Sequence, residues 1–151
     1  MQITGSFKLR GAINKLLSLN EEQKNKGVIA VSTGNHGKGV AYAAKQLGIK
    51  SKIFMSELVP AHRRDAIKSL GADIEIVGTN SDEADHHARE YALKNNIELV
   101  HPFDDLEIIA GQGTIGLEIL EAMPTVDTVI VPTSGCLLYT SPSPRDATLS
   151  R

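Results

Sequence analysis

The sequence predicts an α/β protein, a parallel sheet with helices on both faces. Three observations lead there. "VIAV" is a short, continuous apolar run of the kind buried on both faces of a sheet. Strand-like runs such as "SKIFM" and "DIEIV" come after it at regular spacing. Between them stand segments whose apolar residues recur at helical spacing. Strands alternating with helices at this interval define a parallel sheet, with right-handed crossovers by default.

Each element has a local chemical reason. From Phe7 onward, Leu9, Ala12, Ile13, Leu16 and Leu17 form one apolar stripe, which predicts a helix. Asn20, with Gln23 three positions later, reads as a capping box that opens a short second helix, and Gly27 ends it. Residues 28–31 are the first strand, and "STGNHG" is the loop after it. Residues 36–48 form a helix with Val40, Ala43, Ala44 and Leu47 inward and Gly48 closing it. Residues 51–55 are a strand, 60–70 a helix closed by Gly71, and 73–77 a strand. Ser81 is expected to cap a helix over 81–96, and 98–100 form a short strand. A helix over 111–123 and a strand over 128–132 complete the pattern. Ligands of such sheets bind at the carboxyl ends of the strands. That rule points to "STGNHG" and to "PTSG" after the last strand.

Composition narrows the class. The chain has 151 residues, enough for a core, with 41% hydrophobic and 23% charged residues. A net charge of −2 gives no field for nucleic acid or an anionic membrane, so neither partner is expected. No stretch approaches membrane-span length, and the first residues lack the layout of a signal peptide. One cysteine rules out an internal disulfide framework, and the cytoplasm is the expected compartment.

Two stretches carry chemistry. Lys8, in "TGSFKLRGA", lies one step outside the apolar stripe and in the first turn of its helix. The helix dipole disfavours a cation there, so a lowered pKa is expected, as a nucleophilic amine requires. A snorkelling surface lysine fits the same spacing. "STGNHG" joins a buried strand to a helix amino terminus. Its amides, the hydroxyls of Ser32 and Thr33 and the Asn35 carboxamide suit a carboxylate or phosphate. A bland turn, with Asn35 and His36 capping the helix, fits equally well. The pattern is neither GxGxxG nor a Walker loop. Adjacent His86 and His87 lack metal-ligand spacing, and no metal is expected. "HRRD", residues 62–65, reads as a solvated helix face, and nothing in the sequence gives His101 a partner.

"TGSFKLRGA" together with "STGNHGKGVAYAA" resembles the fold-type II pyridoxal-phosphate enzymes, the threonine dehydratases, serine racemases and their relatives. "DIEIVG", "HPFDD", "AGQGTIGLEIL" and "VPTSG" stand in the family's order, so the likeness covers residues 1–135. Within the family, "QITGSFKLRGA", "STGNHG" and "PFDD…AGQGT" are most similar to the dehydratases of hydroxyectoine utilisation. The resemblance implies pyridoxal 5'-phosphate as cofactor, an amino acid substrate and a homo-oligomeric parent. It implies that Lys8 forms the Schiff base and later moves the substrate α-proton, and that Phe7 packs against the cofactor. Asn35 would bond the ring hydroxyl. Ser32, Thr33, Gly34 and His36, with Asn35, would hold the substrate carboxylate. Ser134 and Gly135 would open the loop that cradles the cofactor phosphate. Thr33 stands where the racemases have a serine acid, and this departure weakens the racemase reading. The implied reaction is an α,β-elimination that turns a hydroxy-amino acid into a keto acid and ammonia.

The last stretch breaks from the body. Residues 136–151, "CLLYTSPSPRDATLSR", have no periodicity and resemble an in-frame translation of a sequencing adapter. They are expected to be foreign and disordered, which makes Cys136 foreign too. Family members have a strand and helices before the lysine, so Met1 is expected to be an internal methionine. The chain is then a piece of a larger enzyme, holding mainly its smaller domain and inactive by itself. The competing class is a non-catalytic carboxylate-binding α/β module, insensitive to Lys8.

Overall fold

The computed structural model describes residues 3–131. Six helices and four strands alternate in the expected order among these residues. They are α1 Lys8–Ser18, α2 Glu21–Lys26, β1 Val28–Val31, α3 Asn35–Leu47, β2 Ser51–Met55, α4 Ala61–Lys68, β3 Asp73–Ile76, α5 Ser81–Asn95, β4 Glu98–Leu99 and α6 Leu106–Ala122. The strands form one sheet, ordered β3-β2-β1-β4, and every neighbouring pair is parallel.

The side-chain period of two sends successive strand residues to opposite faces. Val28, Ala30, Ile53 and Met55 join Leu9, Ala12 and Leu16 of α1 and Val40, Ala43 and Ala44 of α3 in the main core. Ile29 and Phe54 point the other way, onto Ala88 and Tyr91 of α5. Both faces are thus covered, and the strands read as apolar runs for that reason.

Local chemistry sets the ends of the elements. The capping box at α2 is formed, with Asn20 and Gln23 exchanging bonds. Gly48 ends α3 in the left-handed conformation that glycine adopts without a Cβ clash.

Four expectations are corrected. The cap of α5 is Asn80, whose side chain accepts the amides of Asp82 and Glu83, and Ser81 is the first helical residue. Helix α6 starts at Leu106, before Gly111, because the Asp105 carboxylate accepts the amides of Glu107 and Ile108. Leu47 is 38% exposed and does not join the core cluster that Val40, Ala43 and Ala44 enter. Residues 128–131 form no strand: Ile130 is 93% exposed and no described strand pairs with them. A strand needs a neighbour's backbone groups, and hydropathy alone does not supply one. Pro132, Ser134, Gly135 and the stretch 136–151 lie outside the described residues. No helix among the described residues is long and apolar enough to cross a membrane.

Candidate active site

The loop after β1 is built around one hydroxyl. Ser32 Oγ accepts the amide of Gly34 at 3.1 Å and that of Gly37 at 2.8 Å, which turns the chain from strand to helix. Gly34 is the N-cap of α3 and offers no side chain to it. The amides of Thr33, Asn35 and His36 donate to no group among the described residues. They open on the carboxyl end of the sheet with the positive end of α3 behind them. The cap role that Asn35 and His36 were open to filling belongs to Ser32.

His36 divides its two parts between core and cleft. Its imidazole is buried, with Nε2 2.9 Å from the Val100 carbonyl oxygen. Burial lowers its pKa to about 4; the Val100 bond opposes this, while the charges of Lys8 and His101 add to it. The ring is therefore neutral near pH 7, and Nε2 carries the proton it donates to Val100. What His36 offers a carboxylate is its main-chain amide.

Lys8 is the first residue of α1, and its amide donates to Ser6 Oγ at 3.2 Å. Its Nζ donates to the Pro102 carbonyl oxygen at 3.1 Å and stands 5.7 Å from the centroid of the Phe7 ring. The Phe7 ring itself packs against the core.

These parts meet in one cleft of about 540 Å³, lined by Lys8, Ser32, Thr33, Gly34, Asn35, His36, Lys38, His62 and Arg63. Its size is that of a small-molecule site. Six residues expected from the sequence come together there. Phe7 is not part of its lining, and Ser134 and Gly135 lie outside the described residues. Lys38, His62 and Arg63 were not anticipated. The strand-end rule held the signal, because Ala61 to Arg63 open α4 just after β2. Neither Lys38 nor Arg63 makes an ion pair among the described residues. No acidic side chain among the described residues lines the cleft, so it favours anions.

Elsewhere the polar residues are structural. His86 Nε2 lies 3.3 Å from Glu90 and His87 Nε2 lies 3.4 Å from Glu75, two separate partners on two sides of α5. His101 has partners after all, since its Nδ1 accepts the amides of Phe103 and Asp104.

A parallel α/β sheet with an amine and unbonded amides at its carboxyl end defines a site for a small anionic ligand. The chain belongs to the pyridoxal-phosphate dependent enzyme family, which matches residues 1–141. It is 51% identical over 135 residues to a catabolic L-threonine dehydratase of Staphylococcus aureus, covering 89% of this chain and 39% of that protein. Among solved structures it is similar to threonine deaminase isoform 2 of Solanum lycopersicum (41% identity, TM-score 0.87, 93% of this chain and 41% of that one). It is also similar to maize serine racemase (37% identity, TM-score 0.84, 91% and 42%). The chain thus spans about 39% of the length of the curated relatives it matches.

The family's cofactor fits the donor set in the cleft. A primary amine suits its aldehyde, the Asn35 carboxamide its ring hydroxyl, and the unbonded amides of the loop a substrate carboxylate. An added Cβ at Gly34 would meet no atom within 4 Å, so the loop leaves open space there for a ligand.

Proposed function

We propose that this chain is part of a longer pyridoxal-phosphate-dependent ammonia-lyase acting on a hydroxy-amino acid, of the threonine, serine or hydroxyectoine-derived kind. The observation that carries the proposal is the convergence of Lys8 and the "STGNHG" amides on one cleft. The dehydratase relatives support the reaction class.

When bound, pyridoxal phosphate supplies an electron sink for negative charge at the substrate Cα. The chain's own groups do the rest. Lys8 Nζ would hold the cofactor at its aldehyde carbon and would take the substrate α-proton. The amides of Thr33, Asn35 and His36 hold the carboxylate against the positive end of α3, which orients the Cα–H bond. The Asn35 carboxamide would hold the ring hydroxyl. The β-hydroxyl would leave as water with the proton that Lys8 Nζ took from Cα, and one added water would then release a keto acid and ammonia. The cradle for the phosphate falls to Ser134, Gly135 and the adjoining loop of the parent.

Reduction of the loaded parent with borohydride, and then peptide mapping, tests the proposal. A pyridoxyl group on Lys8, with colour and turnover lost in Lys8→Ala, is the expected result. A mark found only on another lysine overturns it. A racemase is the second reading, favoured by the likeness to serine racemases and weakened by Thr33. Substrate recovered from deuterated water with inverted configuration at Cα, and without keto acid, would select it.

A further inference from the structure

Resting on the role of Lys8 just proposed, we infer that Gln112 is a positioning residue that fixes the main chain of Lys8 from α6. Gln112 is fully buried, and it is the one polar member among the largest fully buried side chains of the described residues. Its Nε2 donates to the Lys8 carbonyl oxygen at 3.3 Å, a reach of 104 positions along the chain. Its Oε1 finds no partner among the described residues. A buried carboxamide left half unsatisfied costs free energy that an apolar side chain of the same shape would not. Gln112 stands in "AGQGT", a motif whose residues do not line the cleft.

The surroundings make the contact a clamp. A Cβ on Gly111 would lie 2.6 Å from Gly11 Cα and 2.7 Å from the Arg10 carbonyl oxygen, so α6 lies directly against the α1 backbone. A Cβ on Gly11 would lie 2.5 Å from Gln112 Nε2 itself. Further along, Arg10 donates to Thr114 and Glu118, and Asn14 donates to Glu107. The link made by Gln112 reaches the residue that carries the amine. Lys8 has a long side chain whose Nζ bonds the Pro102 carbonyl oxygen, and a fixed backbone narrows further the part of the cleft it can reach.

The test uses the full-length parent and two variants. Gln112→Met keeps the volume and removes the donor. Labelling of Lys8 in the cofactor-free protein by pyridoxal phosphate and borohydride, read by peptide mapping, is expected to slow about tenfold. In the loaded enzyme kcat falls about tenfold while KM stays near its original value. Gln112→Glu donates only while protonated, and burial raises its pKa. Its labelling rate should therefore match the original in mildly acidic solution and fall as pH rises. Unchanged labelling in Gln112→Met, or labelling of Gln112→Glu that tracks the original at every pH, overturns the inference. If Gln112→Met does not fold, the Gln112→Glu profile decides. The functional proposal fails separately: the unsubstituted parent would then take no label at Lys8, and the positioning role would fall with it.

Discussion

Gly39 of α3 meets the main chain of Lys8, with an added Cβ only 3.2 Å from the Lys8 carbonyl carbon and 3.2 Å from the Leu9 amide nitrogen. Helix α3 begins in the "STGNHG" loop, and α1 begins at the lysine. Their separation at Gly39 therefore sets the distance between the amine and the unbonded amides of that loop.

Gly39→Ala separates geometry from stability. Alanine gains about 1 kcal/mol of helix propensity over glycine. Overpacking against backbone costs about 1–3 kcal/mol. Thermal unfolding should thus change little, or fall modestly. Borohydride labelling of Lys8 should slow severalfold as α1 moves outward. Unchanged labelling would show that this contact does not set the amine.

Gly111→Ala should do the reverse. Its added Cβ meets only backbone, at 2.6–2.9 Å, and backbone cannot turn aside. A loss of about 2–3 kcal/mol is expected, seen as a lower urea midpoint at an unchanged m-value.

His36 predicts a pH dependence. Its folded pKa is lowered from 6.5 to about 4, so between these values the unfolded chain binds the extra proton. Stability is then full above about pH 6.5, falls as the solution is acidified, and levels off near pH 4 for this group. The span corresponds to roughly 3 kcal/mol. Denaturant titrations at stepped pH should show the slope, and His36→Gln should flatten it over that window.

Asp105 both caps α6 and ties it to α1. It caps α6 and pairs with Lys15 at 2.7 Å. Burial raises its pKa, but the Lys15 bond and the amides of Ile108 and Glu107 outweigh this and leave it lowered. Asp105→Asn keeps the cap and removes the charge, so it should cost about 1 kcal/mol, whereas Asp105→Ala should cost about 2 kcal/mol. The Asp105 contribution should be present above the usual aspartate range and fade below it, in acid titrations of stability.

Most of the architecture was legible because strand burial and helix period are local. "VIAV" could hardly be anything but a buried strand, and "NEEQ" capped its helix as written. The features that escaped depended on partners far away in sequence. Asn80 and Ser81 are both good caps, and only the turn at Gly78 and Thr79 selects the first. Two glycines in "AGQGT" obscured the start of α6, yet Gly111 is there because α1 passes against it. At the site, Lys8 and the loop were readable from spacing and resemblance. His36 was not, since nothing near it in sequence announces the Val100 carbonyl oxygen that turns its ring inward. Arg63 read as part of a solvated helix face until α4 placed it on the cleft, and Lys38 reaches the same cleft from α3.

The Lys8–Gln112 contact has a temporal consequence during synthesis. The helix that bears the amine leaves the ribosome first, and the residue that grips it comes 104 codons later. Until α6 has been translated, the Lys8 carbonyl oxygen lacks the Gln112 donor, while α3 can already pack against the main chain of Lys8. Closing so long a chain segment is slow. Lys8 is thus made well before the helix whose Gln112 bonds its carbonyl oxygen.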